Sequence, residues 1–78
     1  MTDLVLYVRE GCHLCEDFEL GLALDLGGAF DDVTVVDVDS RADLAVRFGL
    51  RVPVLENDGK LVCEGRYDSS EVRRRLRL

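Results

Sequence analysis

Cys12 and Cys15 stand three residues apart in "REGCHLCEDFE", residues 9–19, with His13 between them. Two thiols at that spacing can ligate a metal, pair in a core, or cycle between dithiol and disulfide. The chain has three cysteines and one histidine. A structural zinc site needs four ligands, commonly from two paired knuckles. Cys12, His13, Cys15 and Cys63 would be the whole thiol and imidazole supply, and Cys63 has no partner nearby in sequence. No metal site is therefore expected. Three cysteines cannot all pair within one chain, and structural disulfides are not expected in a reducing compartment.

The surrounding elements favour redox chemistry. Leu4–Val8 is a short apolar β-branched and aromatic run, read as a buried strand. Arg9-Glu10-Gly11 breaks it. From about Cys12 the pattern turns helical, with Cys15, Phe18, Leu22 and Leu26 on one face. A thiol at a helix start meets unpaired backbone N–H groups and the positive end of the helix dipole, and both stabilise a thiolate. Cys12 should be the exposed, attacking sulfur. Cys15, one turn in, should be the buried, resolving one. His13 is a candidate modulator of the thiolate or shuttle for its proton. Glu10, Glu16, Asp17 and Glu19 form an acidic surround that opposes the thiolate.

Further along, Gly21 interrupts the helix at a cost of about 1 kcal/mol, which close packing against the sheet would explain. Gly27-Gly28 ends it. Val33–Val38 reads as a second strand. Asp39-Ser40 should cap a second helix with Leu44, Ala45 and Phe48 inward and Gly49 as its stop. Val52–Leu55 and Leu61–Cys63 read as strands joined by Asn57-Asp58-Gly59, an antiparallel hairpin. Asp68-Ser69-Ser70-Glu71 resembles a capping box opening a last helix, with Val72, Leu76 and Leu78 toward the sheet. Cys63 should face the core as a small hydrophobe. Arg73, Arg74, Arg75 and Arg77 crowd the C-terminus, where positive charge complements a helix dipole.

The order is β-α-β-α-β-β-α, an α/β fold, and 78 residues suit a single domain over 1–78. Hydrophobic residues make up 47% and charged ones 33%, which is globular composition. A net charge of -6 argues against nucleic acid as a partner. No apolar run approaches the roughly 18 to 20 residues of a membrane span. Met1-Thr2-Asp3 does not open like an export signal, so a cytoplasmic location is expected.

With strand, Cys-x-x-Cys and helix in place, the chain resembles the thioredoxin superfamily, and within it the short glutaredoxin-like proteins of bacteria. "LVLYVREGCHLCEDFE" looks like their first strand and active-site helix. "VVDVDSRADLAVRFGLRVPVL" is similar to the second strand, second helix and Val-Pro strand. "CEGRYDSSEV" resembles the Gly-containing turn before the last helix. The resemblance implies a thioredoxin-like, glutaredoxin-type fold: a four-stranded mixed sheet with helices on both faces. It also implies a cis peptide before Pro53, with Val52 and Pro53 binding the extended backbone of a substrate.

The departures from the family are local. His13-Leu14 replaces the Pro-Tyr or Gly-Pro found between the cysteines of glutaredoxins and thioredoxins, so neither family's redox potential carries over. A Gly-Gly turn that binds glutathione survives as Glu64-Gly65, with Asp68 at the following acidic position. Gly65 and Asp68 are carried over as candidate substrate-binding residues. Arg9, Arg51 and Arg66 are loop arginines expected near the site. The function implied is thiol–disulfide exchange on protein or glutathione disulfides. No cofactor is required, and glutathione or a thioredoxin-reductase-type enzyme is the candidate reductant. A monomer is expected. A non-catalytic binding module, or an iron–sulfur carrier using the same cysteines, is the alternative.

Overall fold

The computed structural model describes residues 3–78. Met1-Thr2, on which part of the export-signal expectation rests, lies outside the described residues. The elements are β1 (Leu4–Val8), α1 (His13–Leu26), β2 (Thr34–Asp37), α2 (Ala42–Phe48), β3 (Val54–Asn57), β4 (Lys60–Glu64) and α3 (Ser69–Leu76). They form one four-stranded mixed sheet in the order β2-β1-β3-β4. β1 pairs parallel with β2 and antiparallel with β3, and β3 pairs antiparallel with β4. Asp58 and Gly59 both take positive φ, 53° and 81°, in the hairpin turn between them, the turn geometry that suits the twist of a two-residue hairpin.

Alternation along the strands splits the core in two. Leu4, Leu6, Leu55, Val62 and Cys63 pack under α1 and α3, where Phe18, Leu22 and Val72 meet them. Val54 and Val38 pack on the other face against Leu44 and Phe48 of α2, with Tyr7, Val36 and Val52 at the margin. Helices thus cover both faces, and Cys63 is buried in the first core. Phe48 stacks on Tyr7 at 4.2 Å between ring centroids. The ring of Tyr67 meets Phe18 edge-on at 4.9 Å.

Five sequence expectations change in detail. Asp39-Ser40 do not cap α2; they lie in a 3-10 turn, Val38–Ser40, and Arg41 is the residue preceding the helix, with no side-chain cap. The Asp39 carboxylate is taken by Arg9 and the Ser40 hydroxyl donates to the Asp37 carbonyl. The second strand is shorter than Val33–Val38, because Val33 N–H closes the preceding turn onto Phe30 and Val38 enters the next one.

The third strand starts at Val54, two residues later than read, since Val52 N–H still bonds the Phe48 carbonyl and Pro53 has no N–H for the ladder. Gly21 does not face the sheet: a Cβ there would lie 2.5 Å from Cδ2 of Tyr67. Leu78 is 49% exposed rather than packed, because Arg77 turns left-handed (φ 58°) and ends α3 before it.

Candidate functional site

The site grows from the C-terminal end of β1. Gly11, with φ at 76°, turns the chain out of the strand, a conformation that costs glycine little. Cys12 follows in extended geometry as the N-cap of α1. Its Sγ accepts the N–H of Cys15 at 3.1 Å, and its carbonyl accepts the N–H of Glu16 at 3.1 Å. A side chain that accepts from the first helical turn is what an N-cap supplies, here with sulfur in place of oxygen. Cys12 and Cys15 are joined as a disulfide, with Cα atoms 5.2 Å apart, inside the range such a bridge spans. Cys12 is half-buried, whereas Cys15 is only 2% exposed and packs inward with Phe18 and Leu22.

Strand register brings the other predicted segments to the same end of the sheet. Val8 is opposite Asp37 on β2, and Tyr7 is opposite Val54 on β3. Pro53 therefore follows on beside the end of β1. Val54 in turn is opposite Glu64, and Gly65 N–H donates to the Pro53 carbonyl at 2.8 Å. The Val52–Pro53 bond is cis, as the resemblance implied. Gly65 itself takes a φ of 74°.

A cleft of about 300 Å³ opens at Cys12 and Cys15. Glu10, Glu16, Glu19 and Asp37 line it, together with Arg9. Arg9 is fully engaged: Nε and Nη2 each donate to an Asp39 carboxylate oxygen at 3.0 Å, and Nη1 donates to the Gly49 carbonyl at 3.0 Å. Asp37 and the Arg9–Asp39 pair were not foreseen from sequence. The parallel register that sets Asp37 beside Val8 is a property of the strand pairing and not of either strand's sequence.

The remaining candidates separate. His13 is exposed, and its ionic neighbour is Glu16, 3.7 Å from Nδ1. Arg51 pairs with Glu64 at 3.0 Å, so the residue at the first position of the turn neutralises one of the three loop arginines expected near the site. Arg66 is exposed with no ion-pair partner among the described residues, and its carbonyl accepts the Cys63 thiol at 3.6 Å. Burial pushes the Cys63 thiol pKa up, which keeps that sulfur protonated and unreactive. Asp68 Oδ1 accepts the Glu71 N–H at 3.1 Å and so caps α3. Glu71 does not complete the capping box; its carboxylate turns forward to Arg74 and Arg75. Among the described residues no three His, Cys, Asp or Glu side chains are grouped to hold a metal, and no helix is long and apolar enough to cross a membrane.

The family model described as Glutaredoxin-like domain (DUF836) matches residues 3–77. The chain belongs to the glutaredoxin-like family. A structural-genomics target protein from X. campestris is 36% identical, with 95% of each chain covered and a TM-score of 0.80. A protein from Nitrosomonas europaea is 32% identical over 95% of this chain and 89% of its own, with a TM-score of 0.79. Oxidized glutaredoxin 2 from Chlamydomonas reinhardtii shares the fold at 19% identity and a TM-score of 0.57, over 91% of this chain and 67% of that one. No curated protein matches the chain. The glutaredoxin-like fold and its Cys12–Cys15 pair together point to redox function.

Proposed function

We propose that this glutaredoxin-like protein is a thiol–disulfide oxidoreductase. The observation that carries the reading is the half-buried Cys12 at the N-cap of α1, bridged to a buried Cys15 one turn in. In the reduced state the Cys12 thiolate sits against the Cys15 N–H and the positive end of the helix. It attacks one sulfur of a target disulfide and displaces the other as a thiolate, which takes a proton from water. Cys15 then loses its proton and attacks Cys12 Sγ, releasing the second target thiol. Two electrons pass from the dithiol to the target, and the Cys12–Cys15 bridge remains. An external thiol, glutathione or a reductase-type enzyme restores the dithiol.

No organic cofactor enters these steps. Val52, Pro53 and Gly65 would form the surface that receives the target chain, since register and the Gly65–Pro53 hydrogen bond set them together at the sheet end from which Cys12 emerges. Action as a monomer in the cytoplasm, where a reducing pool recycles the dithiol, fits the reading.

The test is reduction of a neutral small disulfide in the presence of glutathione. Cys12→Ser should lose at least about 100-fold of the rate, as expected when a nucleophile is removed. A Cys12→Ser protein that retains the wild-type rate would refute the proposal. Binding of a target protein that survives this substitution would instead favour a binding module.

A further inference from the structure

We propose that the cleft beside Cys12 selects disulfides carrying positive charge close to the sulfurs and disfavours anionic ones such as oxidised glutathione. The inference rests on the oxidoreductase reading above.

Three observations carry it. The cleft is lined by both Cys12 and Cys15, so a disulfide whose sulfur reaches Cys12 lies at its edge. Its other charged residues are four carboxylates, Glu10, Glu16, Glu19 and Asp37, against one cation, Arg9, whose charge is taken up by Asp39 outside the lining. Among the described residues Glu10 and Glu19 have no ion-pair partner, and Glu16 has only His13 at 3.7 Å. Two of the three loop arginines expected near the site are already neutralised in forked contacts, Arg9 by Asp39 and Arg51 by Glu64, and Arg66, the third, unpaired among the described residues, does not line the cleft. A concave site lined by one sign of charge concentrates ligands of the opposite sign. The chain as a whole adds to this field, with a net charge of -6.

The chemistry is unchanged by the selection. The Cys12 thiolate forms a mixed disulfide with one half of the cationic substrate and expels the other half as a thiolate. Cys15 closes the internal disulfide and releases the second half. The substrate gains the two electrons that the dithiol loses. In the mixed disulfide, the ammonium or guanidinium of the bound half sits among the carboxylates. The natural partner class is a protein disulfide flanked by basic residues.

Single-turnover oxidation of the fully reduced chain tests this with three small disulfides: cystamine, a dication; dithiodipropionate, a dianion; and hydroxyethyl disulfide, which is neutral. Each rate is divided by that of dithiothreitol with the same disulfide, which removes the intrinsic leaving-group difference. The normalised cation-to-anion ratio should be about tenfold or more at low salt. It should fall toward one as ionic strength rises from about 0.01 M to about 1 M, where the screening length shrinks from ~30 Å to ~3 Å.

The double variant Glu10→Lys/Glu19→Lys should lower or invert the ratio, and a ratio is insensitive to any change in thiolate reactivity. A ratio near one that ignores salt, with hydroxyethyl disulfide still reacting, overturns the selectivity while leaving the oxidoreductase reading intact. Failure of all three disulfides to oxidise the chain overturns both.

Discussion

The backbone N–H of Cys15 donates to the Sγ of Cys12 at 3.1 Å. One residue therefore supplies both the resolving sulfur and a donor to the attacking one. The arrangement follows from the three-residue spacing at a helix start, where an N-cap side chain reaches the N–H of the N2 or N3 residue. Cys15 is buried and Cys12 is not, so the two sulfurs are unequal in access before any chemistry begins.

Cys15→Ser should keep the first step and lose the second. Treated with a disulfide, the variant should accumulate a stable mixed disulfide on Cys12, visible as a mass increase equal to one half of the reagent. Rapid release of that half without added thiol would mean that Cys15 is not the resolving group. Cys63 is not expected to substitute for it, because burial keeps its thiol protonated.

Gly21→Ala pits helix propensity against packing. The substitution gains about 0.8–1.0 kcal/mol of propensity. The new methyl would meet the Tyr67 ring at 2.5–3.0 Å, and overpacking of that kind costs about 1–3 kcal/mol. The ring cannot swing freely, because its hydroxyl is tied to Asp25 and its edge meets Phe18. Urea unfolding should show a net loss of stability. In a Tyr67→Ala background the same change should become stabilising, and a loss of equal size in both backgrounds would refute the clash.

Asp25 joins α1 to α3. Its carboxylate accepts from the Tyr67 hydroxyl at 2.5 Å, the Ser69 hydroxyl at 2.7 Å and Arg73 at 3.2 Å. These contacts, the Tyr67 hydrogen bond foremost, hold its pKa below the usual carboxylate range. Glu71, held by Arg74 and Arg75, is lowered to about 2. A carboxylate with a depressed folded-state pKa stabilises the fold above its unfolded value, near pH 4, and loses that contribution as pH falls through the folded one. Asp25→Asn should therefore lower Tm at pH 7, and the deficit should shrink as pH falls below about 4. A deficit that stays constant across that range would show that charge plays no part.

Phe48 is fully buried and stacks on Tyr7, with the guanidinium carbons of Arg47 and Arg51 at 4.6 and 5.2 Å from its ring centre. Phe48→Ala should cost about 3–5 kcal/mol. That is a large part of the roughly 5–15 kcal/mol that holds a typical domain folded. Denaturant titration should move the unfolding midpoint to a markedly lower urea concentration at an unchanged slope. A loss below about 1 kcal/mol would be incompatible with this packing.

Glu64→Gly should release Arg51. The pair is half exposed and worth about 0.2–1 kcal/mol, so the rate with oxidised glutathione relative to a neutral disulfide should rise by at most about fivefold. An unchanged ratio would show that the Arg51–Glu64 pair does not control access of anions.

The redox pair was legible in the sequence because its geometry is local. A strand period, a glycine, two cysteines at helical spacing and an inward stripe of Phe18 and Leu22 place Cys12 outside and Cys15 inside without reference to the rest of the chain. Element order was legible for the same reason, and the boundaries that shifted are those where a neighbour competes for a backbone or side-chain group. Val52 N–H goes back to Phe48. Asp39 goes to Arg9, 30 residues away, instead of capping the adjacent helix.

What only the tertiary structure decided is the charge around the sulfurs. Sequence counted Arg9, Arg51 and Arg66 as cations near the site and gave Asp37 no role. Strand register set Asp37 beside Val8 and Glu64 beside Val54, and contacts to Asp39 and Glu64 neutralised Arg9 and Arg51, two of the three arginines. Gly21 likewise has its explanation in Tyr67, a residue of the loop before α3. Periodicity fixes which face of an element points inward. Which distant charge meets which is set by how the elements pair, and that depends on the whole fold.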